Sequence, residues 1–331
     1  MPHHIVSTAP RRIHRTILFV LAFCGFAAMG HAAPALTDEP ASVAAKDAST
    51  PAQQSLDDAW WTGSVISNSP APLPKGHGYV ESYLYDVKTS GVDAWGSQTY
   101  MLYGLSDRVT VGIRPLLGYT RVDGAGSSTH VGGGDVSLHA QYALTTYSRE
   151  KGTPAVAIAI EESLPTGRYD RLDRVNNGFG SGTHTTTLGI YAQQYFWMPN
   201  GRVLRGRVNI SGSHSDRAHV RDLSVYGTSV GFVGDVRPGN SVSFDNAWEY
   251  SLTSNWVLAT DLYYRHDAAT TLRDAAGTRT RSHVGDTFAV IPAVEYNWSP
   301  RVGVIFGPRY IPALGHNQRS ITPVFALSIF M

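Results

Sequence analysis

Apolar and polar positions alternate along most of the chain after residue 77. In the stretch 241–250, one parity holds Val242, Phe244, Trp248 and Tyr250, and the other holds Ser241, Ser243, Asp245, Ala247 and Glu249. Successive side chains of a β-strand point to opposite faces. This pattern therefore predicts a strand with one apolar, aromatic face and one face of small or charged side chains.

The alternation recurs in a series of segments separated by turn residues. It predicts about twelve strands, near residues 78–87, 95–104, 108–118, 133–146, 154–164, 184–196, 202–212, 240–250, 256–266, 284–297, 302–312 and 320–331. An even number of strands is the rule for bacterial single-chain barrels, and it brings both ends of the chain to the same side of the membrane. The segment 224–236 also alternates, and reading it as a further pair gives an alternative of fourteen strands.

The connections between these segments alternate in length. Short ones are predicted at 105–107, 148–153, 198–201, 251–255 and 299–301, and long ones at 89–94, 120–132, 165–182, 212–239, 267–282 and 313–319. Short periplasmic turns and longer outer loops are typical of outer-membrane barrels. A soluble β-sandwich has no reason to show this asymmetry.

Two further features favour a membrane barrel. Aromatic residues gather near strand ends, where interfacial girdles lie, at Trp248, Tyr250, Trp256, Tyr264, Tyr296 and Trp298. The chain also ends on an alternating segment, with Phe325, Leu327, Ile329 and Met331 on one parity. We therefore predict an all-β, transmembrane, antiparallel up-and-down β-barrel over residues 78–331.

The N-terminus has the pattern of a secretory signal peptide. Arg11, Arg12 and Arg15 precede an apolar run from Ile17 to Met29, and small residues follow up to Ala32. The run is shorter than the ~20 residues that a spanning helix needs, so we expect cleavage after Ala32 rather than a retained anchor. Residues 33–77, rich in Pro, Ala and Ser, are then expected to form a periplasmic N-terminal arm, and whether this arm plugs the barrel stays open at this stage.

Charge and cysteine content restrict the possible partners. The net charge is +1, and removal of residues 1–32 leaves 24 basic and 26 acidic side chains, so we expect no nucleic-acid partner. The same cleavage removes Cys24, which is the only cysteine of the chain, so the mature protein would have no disulfide. Charged residues make up only 16% of the chain, against about 25% in ordinary soluble proteins, which suits strands that face lipid.

Several short motifs, taken in their order along the chain, resemble a known family. They are Trp61-Thr62-Gly63, Leu73-Pro74-Lys75-Gly76, Glu81-Ser82-Tyr83, the segments 164–170, 178–183 and 236–240, and Ile321-Thr322-Pro323-Val324. This series resembles the outer-membrane family labelled for the meta-pathway of phenol degradation, from about Trp60 to the end. Members of that family are usually described as transporters. The resemblance implies uptake of a small, aromatic or hydrophobic compound, and it transfers no binding residue.

Charged residues on the inward parity are the candidate functional set, because a charge on the lipid face at the midplane costs about 2–4 kcal/mol. These candidates for lining the lumen are Glu81, Arg114, His139, Glu161, Arg205, Arg207, Asp245, Glu249, Asp261, Arg265, Glu295 and Arg309. They could form a polar path for solutes, or they could be acids and bases that pair to fill a narrow barrel. Their mixed signs argue against strong selectivity for anions or for cations.

The leading hypothesis is an outer-membrane, porin-like channel or transporter for uptake of small, aromatic or hydrophobic compounds. The alternatives are a plugged structural or surface-interaction barrel and, as a lesser one, a barrel hydrolase that would use His139 with Ser137 or Ser243. No sequence signature selects a catalytic residue, so we expect no enzyme, no cofactor and no metal site. The expected partners are a small solute, outer-membrane lipid and lipopolysaccharide, and the barrel-assembly machinery of a Gram-negative bacterium.

Overall fold

A computed structural model describes residues 52–124, 126–315 and 318–331. The expected signal peptide and residues 33–51 of the arm lie outside these residues. The barrel strands are β1 (Gly78–Thr89), β2 (Val92–Ser106), β3 in two segments (Val109–Arg114 and Leu116–Val122), β4 (Val136–Thr145), β5 (Ala155–Leu164), β6 (Thr185–Trp197), β7 (Val203–Ser215), β8 (Ser241–Ser251), β9 (Trp256–Asp267), β10 (Gly285–Ser299), β11 (Val302–Ile311) and β12 (Ser320–Phe330).

Each barrel strand pairs antiparallel with the next one along the chain, and β12 pairs with β1 to close the ring. In the closing ladder Tyr79 lies opposite Phe330 and Leu84 lies opposite Phe325. The barrel therefore has twelve strands, as the alternation predicts. The alternative of fourteen strands is wrong, because Val233–Arg237 pairs outside the barrel and 224–232 contributes no strand.

The outer surface of the ring is apolar. Large side chains on one parity are between a third and two thirds exposed, among them Ile158, Leu188, Val242, Leu258 and Phe306. An exposed apolar surface of this extent marks contact with a membrane or a partner, and here it encircles a closed ring of paired strands. Aromatic rings gather on this surface near one end, where Trp256 and Trp298 lie 4.7 Å and 5.4 Å from the ring of Tyr296. This arrangement is that of a membrane-spanning barrel with an interfacial girdle.

No helix among the described residues is both long enough and apolar enough to cross a membrane.

The two ends of the barrel differ. At one end, which we call the turn end, short connections join β2 to β3, β4 to β5, β6 to β7, β8 to β9 and β10 to β11, and the first and last barrel strands also begin and finish there. The opposite end, the loop end, carries the long connections. One expected long connection is wrong: β1 and β2 are joined at the loop end by Ser90 and Gly91 alone. Gly91 has a φ of +82°, which glycine adopts without strain in so tight a turn.

Two of the long connections fold into a second, smaller sheet, which we call the loop sheet. Its strands are Ala218–Arg221, Val233–Arg237, Thr271–Asp274 and Arg279–Arg281, in that spatial order. This is also the order of β7, β8, β9 and β10, which these strands extend. The pairing register carries over, since Ser241 faces Asp267 in the barrel and Arg237 faces Thr271 in the loop sheet.

The loop end has a small hydrophobic core of its own. Ala218, Val220, Val236 and Tyr226 are buried together, and Tyr169 from the β5–β6 connection packs against them. Tyr226 also donates a hydrogen bond to the carbonyl of Ser181, and burial raises the pKa of its phenol above the ordinary value. The same β5–β6 connection contains the short 3-10 helix Val175–Asn177. The long loops are thus packed against one another over the loop end of the barrel.

Candidate functional site

The inward parity of the strands carries the twelve charged residues that the sequence singled out. Eight of them are buried: Glu81, Arg205, Arg207, Asp245, Glu249, Asp261, Glu295 and Arg309. Arg114, His139, Glu161 and Arg265 are partly buried. A charged side chain without a partner is costly to bury, so the contacts of these residues determine what the interior can do.

Six of the twelve lie together on four adjacent strands, and we call them the charged wall. They are Arg205 and Arg207 on β7, Asp245 and Glu249 on β8, Asp261 on β9 and Glu295 on β10. Arg205 donates two hydrogen bonds to the Glu249 carboxylate, and Arg207 Nε lies 3.5 Å from Glu249 Oε2. The two arginines thus both contact one carboxylate, and Asp245, Asp261 and Glu295 have no arginine within 4.0 Å among the described residues.

The other six form separate contacts. Arg114 pairs with Glu161 and also bonds the Tyr100 hydroxyl, while Arg265 bonds Asp267 on its own strand. Glu81 accepts a hydrogen bond of 2.8 Å from Ser328. His139 lies opposite Glu161 in the strand register, and Arg309 lies on β11 opposite Thr322. The structure therefore divides the predicted set into one large cluster and several smaller sets of contacts elsewhere on the inner face.

Asp261 and Glu295 are bonded by the backbone of the N-terminal arm, which runs through the barrel interior. Glu295 Oε2 accepts from the amides of Thr62, at 2.6 Å, and Gly63, at 3.3 Å. The Asp261 carboxylate accepts from the amides of Val65, Ile66 and Ser67, at 3.1 to 3.4 Å. Backbone amides buried outside a sheet need acceptors as much as buried carboxylates need donors, so each satisfies the other.

The carbonyl groups of the arm accept hydrogen bonds from polar side chains on the inner face of the barrel. Arg207 donates to the carbonyl of Ser67 at 2.8 Å, and Asn209 donates to the carbonyl of Asn68 at 3.2 Å. Across the barrel on β4, Gln141 donates to the carbonyl of Ser69 at 3.1 Å. These bonds reach from β4 to β7, so this part of the arm crosses the interior.

Apolar contacts also hold the arm in the interior. Val65 and Ile66 are 4% and 9% exposed, and they belong to one buried cluster with Tyr83, Tyr263 and Ile291 on the inner face of the barrel. Trp61 lies under a guanidinium, with Arg205 Cζ 4.4 Å from the ring centroid, which is a favourable cation–π geometry. The arm is therefore held by both polar and apolar contacts, and it forms no β-ladder with the wall among the described residues.

Both limbs of the arm reach the turn end. On the first limb, Gln54 bonds the turn between β6 and β7 through its amide and the carbonyl of Gly201, at 2.9 Å. On the second limb, the amide of Lys75 donates to the side chain of Asp107 in the turn between β2 and β3. The described part of the arm thus enters the barrel from the turn end, crosses the interior at 62–69 and returns. Beside the first limb lies a cavity of about 440 Å³, lined by Trp60, Trp61 and Arg205 among others.

The returning limb packs directly on the backbone of β2 at Gly104. A Cβ there would overlap the carbonyl oxygen of Pro74 and lie 2.6 Å from that of Leu73, so the close approach requires glycine. We expect Gly104→Ala to displace this limb and to destabilise the folded barrel by about 1–3 kcal/mol, the usual cost of overpacking. Thermal unfolding of the detergent-solubilised protein measures the effect.

Gly133→Ala is the matched control, because a Cβ at Gly133 meets nothing within 4 Å. Equal unfolding temperatures for the two variants would contradict the close contact between the arm and β2.

The hydrolase alternative needs a serine activated by His139. Ser243 shares a hydrogen bond with Ser211 instead, and among the described residues no hydrogen bond joins His139 to Ser137 or Ser243. The geometry therefore contains no serine–histidine pair at this place.

Sequence patterns do not identify the residues that hold the arm inside the barrel. These are the arm residues 60–69 and the neutral partners Gln141, Asn209 and Asn297, the last of which bonds the carbonyl of Trp60 at 3.2 Å. Inward parity places the three neutral side chains in the interior, which was a usable signal. Nothing local in the arm predicts where it lies.

Comparison with known proteins adds a family and a fold. Among solved structures, the chain is similar to an outer membrane channel from Pseudomonas putida F1, with 14% sequence identity, a TM-score of 0.63, and coverage of 81% of this chain and 100% of that one. Weaker likeness is found to the transport unit of an autotransporter from Escherichia coli (9% identity, TM-score 0.44, coverage 76% and 89%) and to a toluene transporter from Pseudomonas putida (14% identity, TM-score 0.42, coverage 83% and 94%).

No curated protein sequence matches the chain. The profile of one protein family matches residues 62–310, which span the second half of the arm and all the barrel strands except Ile311 of β11 and the whole of β12. The family resemblance seen in the sequence motifs is confirmed. The chain belongs to the family described as "Putative MetA-pathway of phenol degradation".

Proposed function

We propose that the protein is an outer-membrane channel for small solutes whose interior is closed at rest by its own N-terminal arm. The turn end would face the periplasm and the loop end the outside, as the lengths of the connections indicate. The observation that supports this proposal is the way in which the arm is held. Residues 62–69 cross the interior, where barrel side chains bond their backbone, and they pair with no barrel strand. A segment held in this way can leave while the ring of strands stays intact.

Family membership and the fold support a transport role. Barrels of about eight strands are filled by their own side chains, whereas those of sixteen or more leave an aqueous channel. A barrel of twelve strands lies between these cases, so its interior is wide enough for a chain segment or, without it, for small molecules.

The solute class we propose is small, aromatic or hydrophobic compounds. The family description, with its reference to phenol degradation, supports this class. Beside the arm, the inner face carries Tyr83, Tyr263 and Ile291 with Tyr85 and Tyr100 packed against them, a surface on which aromatic rings pack well. The charged wall, with both signs present, would favour neither anions nor cations strongly.

Liposome swelling tests this function. We expect liposomes with the reconstituted chain that lacks residues 53–70 to admit benzoate faster than empty liposomes do, and faster than they admit arabinose at equal osmolarity. The aromatic ring can pack on the tyrosine-lined inner face more favourably than the more polar sugar can. Liposomes that stay tight to both solutes, with the arm present and with it deleted, would remove the channel proposal.

A second candidate is a permanently plugged barrel whose loops act at the cell surface. The same contacts favour it, because a segment held by this many buried bonds can also be a fixed part of the wall. The two candidates differ in the behaviour of the intact chain, because a channel should show openings in planar bilayers with its arm in place, whereas a permanently plugged barrel should show none.

A further inference from the structure

The ladder between β10 and β11 is interrupted near the middle of both strands. Val290 pairs with Tyr310 and pairing resumes at Val294, but between these positions no pairing joins the two described strands. In the same register Pro292 lies directly opposite Pro308. Proline has no backbone N–H, so neither residue can donate a ladder hydrogen bond. We call this interruption, which is about 13 Å long at the usual rise of a strand, the proline gap.

The neighbouring ladders show that the nitrogens of both prolines face the gap. On its other side Pro292 pairs with Thr260, and Pro308 pairs with Pro323, in ladders that continue through these positions without interruption. In an antiparallel ladder, pairs that exchange hydrogen bonds alternate with pairs that do not, and proline fits without loss only at the second kind. The two donors that would close the ladder between β10 and β11 are therefore the two that proline lacks.

The proline gap lies at mid-height of the apolar outer surface. On the neighbouring strand β9 its level is that of Thr260, between Trp256 in the aromatic girdle and His266, where polar groups begin. In the outer-membrane placement proposed above, this level is the hydrocarbon interior of the bilayer. Lipid offers no replacement for a broken backbone hydrogen bond, so fully paired strands resist separation there. Two strands that already lack these bonds at one place separate there at a lower cost.

Apolar side chains lie on both sides of the proline gap. On the outer surface of the barrel, Val294 and Phe306 are exposed beside it. On the inner face, Ile291 and Ala293 belong to the buried apolar cluster that also contains Val65 of the arm. The surface that faces the interior and the surface that faces lipid are thus both apolar at the place where hydrogen bonds are missing.

The two strands still touch at the proline gap. A Cβ at Gly307 would overlap the carbonyl oxygen of Pro292, so the two backbones are in contact although no ladder bond joins them. Because glycine has no side chain, a modest separation of β10 from β11 would open a short path from the inner cluster to the lipid.

We propose that the proline gap is a lateral passage through which small hydrophobic compounds move between the apolar inner cluster and the membrane interior. The proposal rests on the channel function proposed above and adds a second route to it. Neutral aromatic or aliphatic compounds fit this route, because both of its ends are apolar. Anions and sugars would remain in the path along the barrel axis, since lipid is unfavourable for charged and strongly polar groups.

Labelling of a single introduced cysteine tests this passage in the full mature chain, which has no cysteine of its own once residues 1–32 are removed. The probe is N-phenylmaleimide, a small aromatic compound supplied from the lipid of proteoliposomes, and it is compared with a sulfonated maleimide that stays in water. Ile291→Cys places a thiol on the inner face at the proline gap. We expect N-phenylmaleimide to label it about tenfold faster than Ala247→Cys, because local opening of the gap exposes it to lipid.

Ala247→Cys is the matched control for position and surroundings. Ala247 and Ile291 are both fully buried on the inner face, and both lie directly opposite Asp261, on β8 and on β10. The ladders on both sides of Ala247 are uninterrupted, so the proline gap is the main difference between the two sites.

Restoring the missing donors should close the passage. In the Ile291→Cys chain, Pro292→Val/Pro308→Val supplies both backbone N–H groups and keeps apolar side chains on the lipid face, so labelling should fall to the rate of Ala247→Cys. Pro308→Val alone supplies one donor and should give an intermediate rate, which keeps the test usable if the double variant does not fold.

The outcomes are decisive in both directions. Fast labelling of Ile291→Cys by the lipid-borne probe alone, lost when the prolines are replaced, supports the proposal. Equal labelling of both cysteines, labelling of neither, or labelling that the proline substitutions leave unchanged overturns it. Faster labelling of Ile291→Cys by the sulfonated maleimide would show access from water and also overturns it. Benzoate flux through the chain without residues 53–70 can fail without changing these results, so failure of the proposed function is distinguishable.

Discussion

A mature chain that lacks residues 53–70 should conduct ions through planar bilayers roughly tenfold or more better than the intact mature protein. The deleted segment includes the arm residues that bond the charged wall, from Thr62 to Ser67, and also Asn68 and Ser69, which bond Asn209 and Gln141. The strand ladders do not involve these residues, so the ring should still close. With the segment gone, water can solvate the charged wall, and the interior becomes a polar passage.

A deletion of similar length provides the control. A chain without residues 34–50 keeps residues 53–70 and should conduct like the intact mature protein. If the chain without 53–70 stays equally closed although its barrel is folded, the arm is not what closes the interior. The permanently plugged alternative would then need another obstruction, and the packed loops of the loop end would be the first place to examine.

Replacing both acceptors of the arm, Asp261→Ala with Glu295→Ala, should release the arm from the interior. Four backbone amides, those of Thr62, Gly63, Val65 and Ile66, would lose their acceptors, and the amide of Ser67 would keep only the Ser64 hydroxyl. A buried polar group left unsatisfied costs about 1–3 kcal/mol. We expect the sum of these costs to exceed the stabilisation that the apolar contacts of the arm provide, so that the arm leaves the interior. We expect faster proteolysis near Trp60 and Trp61, and a conductance that approaches that of the deleted chain.

The ring itself should tolerate this double substitution, because removal of two buried carboxylates also removes their desolvation cost. The matched control is Asp123→Ala with Glu150→Ala, two exposed carboxylates that do not contact the arm. An arm that stays protected from protease in the Asp261→Ala/Glu295→Ala chain would show that its apolar contacts alone hold it. The single variant Glu295→Ala keeps the bonds to Asp261 and should give an intermediate result.

Most of the barrel could be predicted because the pattern of a strand is local. In β8, Asp245 and Glu249 alternate with Phe244 and Trp248, and a pleated strand can place this pattern in only one way between lipid and interior. The same rule identifies Arg205 and Arg207 on β7 as inward residues. The one wrong loop length, between β1 and β2, concerns a boundary that depends on a two-residue turn at Ser90 and Gly91.

The sequence by itself thus determined the ring of strands, its inner and outer faces and the unequal connections at its two ends. The tertiary structure alone decided which inward charges meet and what fills the interior, because those contacts join distant parts of the chain. Thr62 and Glu295 are 233 residues apart, and the arm carries no alternation that points to its partners. The loop sheet depends on the tertiary structure for the same reason: the segment 224–236 alternates like a barrel strand, residues 267–282 are expected to be a long connection, and only pairing joins Val233–Arg237 to Thr271–Asp274 outside the barrel ladder.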